Sequence, residues 1–375
     1  MAPYVRTGRI GHFQDARKAA ACIGTRVMSV LSSPPCVGEG PGEWSPRSTI
    51  MYTRMDTRLR LFEERDYPGL VALVHAVYPD QPVTLEEMQH SDRTWDHSRY
   101  VKLCIIAEGD EGQVLGWGEL RHSPWAFHPR RYSLRLGVAP QVRHRGIGTT
   151  LYEWVLAELR VRDAELVRCT VQESKREGVA FLVKRGFQEV DRVWESRLDV
   201  CGFNFASFAV AYERVAAQGI TITTLAAELR RAPAVLRQVY ELDCACGLDA
   251  PSLDPPTFRP FELWAQDEIE KPGALPAAWF LAKDGGQFVG ISSLQGALAS
   301  PDVLWVGFTG VRREVRGRGI ATALKLESIR YAREQGYREI RTMNNALNQS
   351  MLRINEALGF RREPAWITFE KKLTP

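Results

Sequence analysis

From Thr57 onward, short runs in which apolar and polar residues alternate are separated by stretches in which apolar residues recur every three or four positions. The segment "RLRLFEERDYPGLVALVHAVY" starts with a period of two, passes an acidic turn and continues with a helical period, predicting a strand and then a helix capped by Asp66. "VKLCIIAEGDEGQVLGWGEL" holds two strand-like runs around a Gly/Asp turn and predicts a hairpin. "RYSLRLGV" is a further strand, and after a short loop "TTLYEWVLAELRVRD" is amphipathic at helical spacing. "AELVRCTV" reads as a strand, "EGVAFLVKR" as a helix ended by Gly186 in a left-handed cap, and "FQEVDRVWESRLDV" as a closing strand.

The same succession returns in the second half. "GITITTL" predicts a strand, "APAVLRQVYELD" a helix, and "WFLAKDGGQFVGISSLQ" a hairpin around Asp284, Gly285 and Gly286. "DVLWVGFTGV", "ATALKLESIRYAREQG", "REIRTMNN" and "SMLRINEAL" then give strand, helix, strand and helix before Gly359. Between the halves "FNFASFAVAYERVAAQG" reads as an amphipathic linker helix.

The two halves share letters as well as order. "GVAPQVRHRGIGTTL" (Gly137 to Leu151) and "GVRREVRGRGIATAL" (Gly310 to Leu324) agree at 9 of 15 positions without a gap. Gly146 and Gly319 lie 173 residues apart, and so do the Gly-Phe pairs at Gly186 and Gly359. That period is too long for a solenoid unit and fits a whole domain made twice. The division expected is an extension over 1–55, a first domain over 56–200, a linker helix over 201–218 and a second domain over 219–375. The extension is rich in Arg, Pro, Gly and Ser with no sustained period, and is read as disordered. It suits either a transit peptide or an upstream start, with Met51 or Met55 as the true beginning.

Composition leaves this picture intact. A 45% hydrophobic and 25% charged chain is ordinary for a globular protein, and no apolar run reaches the length of a membrane span. A net charge of +4 over 375 residues, without a basic stripe, argues against a nucleic-acid partner. A cytoplasmic protein with neither membrane nor nucleic acid as partner is the expectation. The seven cysteines are scattered; Cys104 and Cys169 lie in strand runs as small buried hydrophobes, and Cys244 and Cys246 lack a second pair at metal spacing. No metal site is expected.

A strand, an Arg/Gly loop and a helix together form an anion site. Loop amides and the positive helix end face the ligand, and glycines let a phosphate approach the backbone. Arginines add charge-assisted hydrogen bonds to a diphosphate. No Lys-Ser/Thr follows the glycines, which argues against a P-loop, and no spaced Gly triplet supports a dinucleotide fold.

"RHRGIG" (Arg143 to Gly148) and "RGRGIA" (Arg316 to Ala321), each after a strand ending in Gly-Val and before a Gly-Phe, resemble the Arg/Gln-x-x-Gly-x-Gly/Ala loop of the GCN5-related N-acetyltransferase (GNAT) superfamily. The resemblance spans about Asp56 to Leu373 as two copies, a tandem arrangement of the mycothiol-synthase kind. It implies an α/β (α+β) fold with a mixed sheet in each copy and acetyl-CoA as cosubstrate. The acceptor would be the primary amine of a small molecule or peptide. It also implies that Val138, Arg143, His144, Arg145, Gly146, Ile147, Gly148 and Thr149 hold the cofactor in the first copy. Their counterparts in the second are Val311, Arg316, Gly317, Arg318, Gly319, Ile320, Ala321 and Thr322.

Where that superfamily carries Asn and, seven residues on, a Tyr that protonates the leaving thiolate, the second copy has Asn348 and Asn355 and the first has Lys175 and Leu182. On that basis transfer is expected in the second copy, with Asn348 holding the pantetheine. Glu119, in the strand of "GWGEL", reads either as a base facing the cleft or as a surface carboxylate. Phe258, Phe261, Trp264 and Trp279 read either as an acceptor pocket or as core. The missing tyrosines leave a second function open, a CoA-responsive binding or sensor protein without turnover.

Overall fold

The computed structural model describes residues 57–373, so the expectations for the extension, including Cys22 and Cys36, lie outside the described residues. The first copy runs β1 (Thr57–Leu61), α1 (Tyr67–Val77), α2 (Leu85–Arg93), β2 (Lys102–Gly109), β3 (Val114–Arg121), β4 (Arg131–Val138), α3 (Ile147–Val161), β5 (Leu166–Gln172), α4 (Arg176–Val183) and β6 (Gln188–Asp199). After α5 (Ala209–Ala216), the second runs β7 (Thr221–Thr224), α6 (Leu225–Arg231), α7 (Val235–Gly247), α8 (Phe261–Glu268), β8 (Ala274–Asp284), β9 (Gln287–Gly296), β10 (Val303–Val311), α9 (Ile320–Glu334), β11 (Glu339–Asn345), α10 (Gln349–Ala357), β12 (Arg361–Arg362) and β13 (Trp366–Lys372). Shifted by the repeat, α3 superposes on α9 and β5 on β11 residue for residue.

All strands join in one mixed sheet, ordered β1-β2-β3-β4-β5-β13-β6-β11-β10-β9-β8-β7 with β12 beside β6. The last strands are exchanged. β13, from the second copy, pairs along the whole of β5, while β6, from the first, pairs along β11. β6 and β13 then pair antiparallel with each other, and Val193 faces its own repeat-equivalent, Trp366. A pseudo-twofold axis therefore passes between these two residues, as in an isologous dimer made within one chain.

The exchange follows from which residues are apolar. Ile367 and Phe369 of β13 are buried among Leu120, Leu134, Val155, Val167 and Leu182 of the first copy. Leu198 and Val200 are buried among Leu304, Ile329, Ile340 and Phe360 of the second. Each apolar face finds its core across the copy boundary.

Three helices were not legible in the sequence. α2 buries no residue and is held by a capping box of Thr84 and Glu87, α6 is short, and α8 follows Pro260. Two expected details differ. Asp66 makes no cap hydrogen bond to α1, because its carboxylate accepts from Arg60 and from the Glu63 amide instead. The linker is helical over Ala209–Ala216 only, after one 3-10 turn at Phe205–Phe208.

Candidate functional site

Both Arg/Gly loops take one backbone shape. His144 and its equivalent Gly317 have φ of 62° and 78°, and Gly146 and Gly319, which precede α3 and α9, have φ of 92° and 89°. A non-glycine residue in that left-handed region costs about 1–2 kcal/mol, so His144 is held there by the surrounding loop. Arg143 Nε donates to the Val138 carbonyl at 3.3 Å and Arg316 Nε to the Val311 carbonyl at 3.0 Å. The leading arginine thus braces the strand end in both copies. In the first loop the amides of His144, Arg145, Gly146, Ile147 and Gly148 donate to no backbone carbonyl among the described residues. Together with the α3 N-terminus they form a positively polarised nest.

The surroundings of the two loops differ. Among the described residues nothing lies within 4 Å of a Cβ built on Gly146. Among the described residues the one side chain that Arg143 and His144 meet is the exposed Glu177, at 3.4 and 3.2 Å, and Arg145 has no hydrogen-bond or salt-bridge partner. At the second loop α5 lies across the glycines. A Cβ on Gly319 would sit 3.7 Å from both Arg214 and Val215, and Arg214 donates to the Gly317 carbonyl. Gln218 donates to the Arg318 carbonyl and accepts from the Arg318 side chain. Arg318 is paired with Asp284 at 2.6 Å, and Arg316 with Asp249 at 2.6 Å; Arg313 also binds Asp249. Its cations are already neutralised.

Beside each loop the central parallel strands fork. β4 and β5 pair from Arg131–Leu166 to Leu134–Cys169 and then part, so β4 runs on to Val138 without β5 beside it. β10 and β11 part after Trp305–Arg341. A cavity of about 1790 Å³ opens at the first fork and continues across the pseudo-twofold axis to the second. Val138, Arg143, His144, Gly146, Ile147, Gly148 and Thr149 line it; of the second copy's expected cofactor residues, from Val311 to Thr322, none does.

Two lining residues escaped the sequence reading. Arg185, just before Gly186, donates to Thr149 Oγ1 at 2.8 Å and lies over the Phe181 ring at 3.4 Å, which adds a cation at the start of α3. Tyr78, at the end of α1, stands near enough to Arg135 and Arg143 for their charges to act on its phenol. Burial is the main force that raises its pKa, so the phenol stays protonated at neutral pH. No periodicity marks either residue; both are brought to the fork by the fold.

Of the two expected catalytic groups, Asn348 lies at the cavity and Glu119 does not. Glu119 does not line the cavity; its carboxylate lies beneath Arg121, at 3.4 Å, and Arg135, at 3.9 Å, which do. Asn348 lines the cavity, but its Oδ1 caps α10, accepting from the Met351 amide at 3.2 Å. Asn348→Ala should therefore lower stability by about 0.5–2 kcal/mol and leave turnover unchanged, measured by urea unfolding beside thiol release. A hundredfold rate loss with stability intact would restore its catalytic role. Phe261, Trp264 and Trp279 pack in the core of α7, α8 and β8, and Phe258 lies against Gly247; none lines the cavity. Burial pushes the Cys169 thiol up to about 12, leaving it an inert hydrophobe. Among the described residues no cluster of His, Cys, Asp and Glu is placed to hold a metal, and no helix is long and apolar enough to cross a membrane.

Known structures share this architecture. A GCN5-related N-acetyltransferase from Sphaerobacter thermophilus matches with a TM-score of 0.64 and 20% identity, over 86% of this chain and 97% of that one. A tandem GNAT protein from the clavulanic acid biosynthesis pathway gives 0.66 and 19%, over 85% and 99%. Saccharomyces cerevisiae N-myristoyltransferase with bound myristoyl-CoA gives 0.56 and 10%, over 88% and 81%. Among curated proteins none matches the sequence. The family described as acetyltransferase (GNAT) matches the sequence itself over residues 62–187 and again over 236–360. With a match in each half, the chain belongs to the acetyltransferase (GNAT) family, whose chemistry is acyl transfer from an acyl-CoA to an amine.

Proposed function

We propose that this protein is an N-acyltransferase that moves acetyl from acetyl-CoA to the primary amine of an acceptor, and that the first copy, not the second, holds the cofactor. The contrast between the loops carries the reading. The amides of both loops lack backbone partners among the described residues, but around Gly146 there is open space and Arg145 is unpaired, whereas α5 lies against Gly319 and Arg316 and Arg318 are paired with Asp249 and Asp284.

The pyrophosphate would lie on the amides of His144 to Gly148, with Arg145 and Arg185 as cations. The pantetheine would enter the fork between β4 and β5, where β4 has a backbone edge unpaired by β5. Most of the rate would come from holding amine and thioester at attack distance. A lysine-like amine is neutral in only about one molecule in 10³ at pH 7, so the acceptor must lose its proton on entry. As the tetrahedral intermediate collapses, the C–S bond breaks, the thiolate takes a proton, and the nitrogen gives up the proton that restores the donor. Tyr78, protonated and at the fork, is the group placed to give the thiolate its proton.

Tyr78→Phe should lower kcat about ten- to a hundredfold with KM for acetyl-CoA unchanged, an effect of about 1.4–2.7 kcal/mol on the transition state alone. A rise in KM with kcat unchanged would assign Tyr78 to binding. Leu182 and Asn355, at the places of the usual tyrosine, favour the second reading, a CoA-responsive binding protein. Release of free CoA thiol from acetyl-CoA across a panel of primary amines separates the two. Binding without release with any amine would sustain the sensor.

A further inference from the structure

The 173-residue repeat allows the two forks to be compared position by position. Behind the first stand Tyr152, Val155, Cys169, Val171 and Leu182, part of one apolar core with Phe187. At the same positions the second has Lys325, Ser328, Thr342, Asn344 and Asn355, with Phe360 retained. Apolar packing has been replaced by a polar cluster, most of it buried. Lys325, Ser328, Thr342 and Asn355 are each 2% exposed.

The hydrogen bonds in this cluster leave donors unused on residues that line the cavity, beside one buried acceptor, Asn355 Oδ1, that has no partner among the described residues. Asn355 Nδ2 donates to Asn344 Oδ1 at 2.6 Å, which occupies the Asn344 oxygen and frees its amide nitrogen. Asn348 Oδ1 is likewise used in capping α10. Lys325, Thr342, Asn344 and Asn348 all line the second copy's part of the cavity. The Lys325 ammonium has no hydrogen-bond or carboxylate partner among the described residues; only the Phe360 ring lies near, at 5.3 Å. The acids that line the cavity are Asp80, Asp191, Asp254 and Glu177. Asp254 is held by Arg131 and Arg168, Asp191 by Asn345, and Glu177 faces the first loop. None of them, Asp80 included, acts on the Lys325 charge, and burial alone pushes its pKa down to about 8. A buried cation without a counterion is costly, and an anion delivered from the cavity would relieve that cost.

We propose that the second copy's fork is a binding site for the carboxylate of a small molecule, with the Lys325 ammonium and the Asn344 and Asn348 amides as its donors. Charge sets the class. One ammonium and two neutral amides match the single charge of a carboxylate, whereas a phosphate monoester brings about 1.5 to 2 negative charges. The site does not depend on acyl transfer in the first copy, and its test uses no acyl-CoA.

The test is reductive methylation of the full chain, with the modification of Lys325 followed by peptide mass spectrometry. Acetate, inorganic phosphate and chloride are compared at equal ionic strength. Saturating acetate should slow labelling of Lys325 about tenfold relative to chloride, and should leave exposed lysines away from the cavity, such as Lys372, unchanged. Asn355→Leu, which installs the first copy's residue, should weaken that protection by releasing Asn344. Acetate should also raise the melting temperature of the wild type and not that of Lys325→Met; should the latter fail to fold, wild-type labelling still decides. Equal labelling in acetate and chloride would overturn the site. Protection by phosphate at lower concentration than acetate would overturn the carboxylate assignment.

Discussion

Gly146→Glu should weaken acyl-CoA binding at least a hundredfold, about 2.7 kcal/mol, in calorimetry on the full chain. Two effects act together. The new side chain sits at φ 92°, where a Cβ is disfavoured, and its carboxylate enters the nest of amides that the pyrophosphate needs. There is open space around Gly146 among the described residues, so the turn itself can form. Gly319→Glu is the matched control. Its side chain would sit at φ 89° beside Arg214 and Val215 and lower the melting temperature, while cofactor affinity and a stoichiometry of one per chain should stay as they are. Two sites per chain, or full affinity in Gly146→Glu, would return the cofactor to the second loop.

The second large effect concerns the copies as separate proteins. Residues 57–200 expressed alone should not unfold cooperatively, and the same holds for 201–375. Without β13, β5 has an unpaired edge, and the core of the first copy lacks Ile367 and Phe369. Burying two such side chains contributes about 3–6 kcal/mol, a large part of the 5–15 kcal/mol that a domain has in total. Mixing the two fragments should restore a cooperative melt, because each supplies the strand that the other lacks. A sharp thermal transition in either fragment alone would show that β6 or β13 can fold back onto its own copy.

How much of this was legible in the residues varied with the physics involved. The loop, its glycines and the following helix were readable, because a left-handed backbone leaves a mark that a hydrophobic core does not. Gly146, Gly319, Gly186 and Gly359 are all at positive φ. The strand exchange was not readable. The pattern of β6 and β13 says that one face is apolar, and it does not say which copy's core that face will join. The choice of loop was hidden for a related reason. Arg316 and Arg318 look like Arg143 and Arg145 until Asp249 and Asp284, distant in sequence, are brought beside them. Asn348 drew attention as a polar group at a family position, and the local hydrogen bond that makes it a cap competes for the same oxygen. Tyr78 carried no signal at all, since a tyrosine at a helix end has many ordinary uses.

The order of the strands also sets a timetable for synthesis. β5 is complete at Gln172, yet its neighbour β13 begins only at Trp366, within the last ten residues of the chain. Domains usually fold as units, N-terminal part first, while the ribosome is still adding residues at about 5–20 per second. Here the first half must wait with an open edge for roughly 10–40 seconds at that rate. During that interval β5 is a template for any strand that comes near, including the β6 of the same chain or a β13 from another. Chaperone demand during translation, and intertwined dimers at high expression, are therefore built into the topology of this protein rather than into any one of its residues.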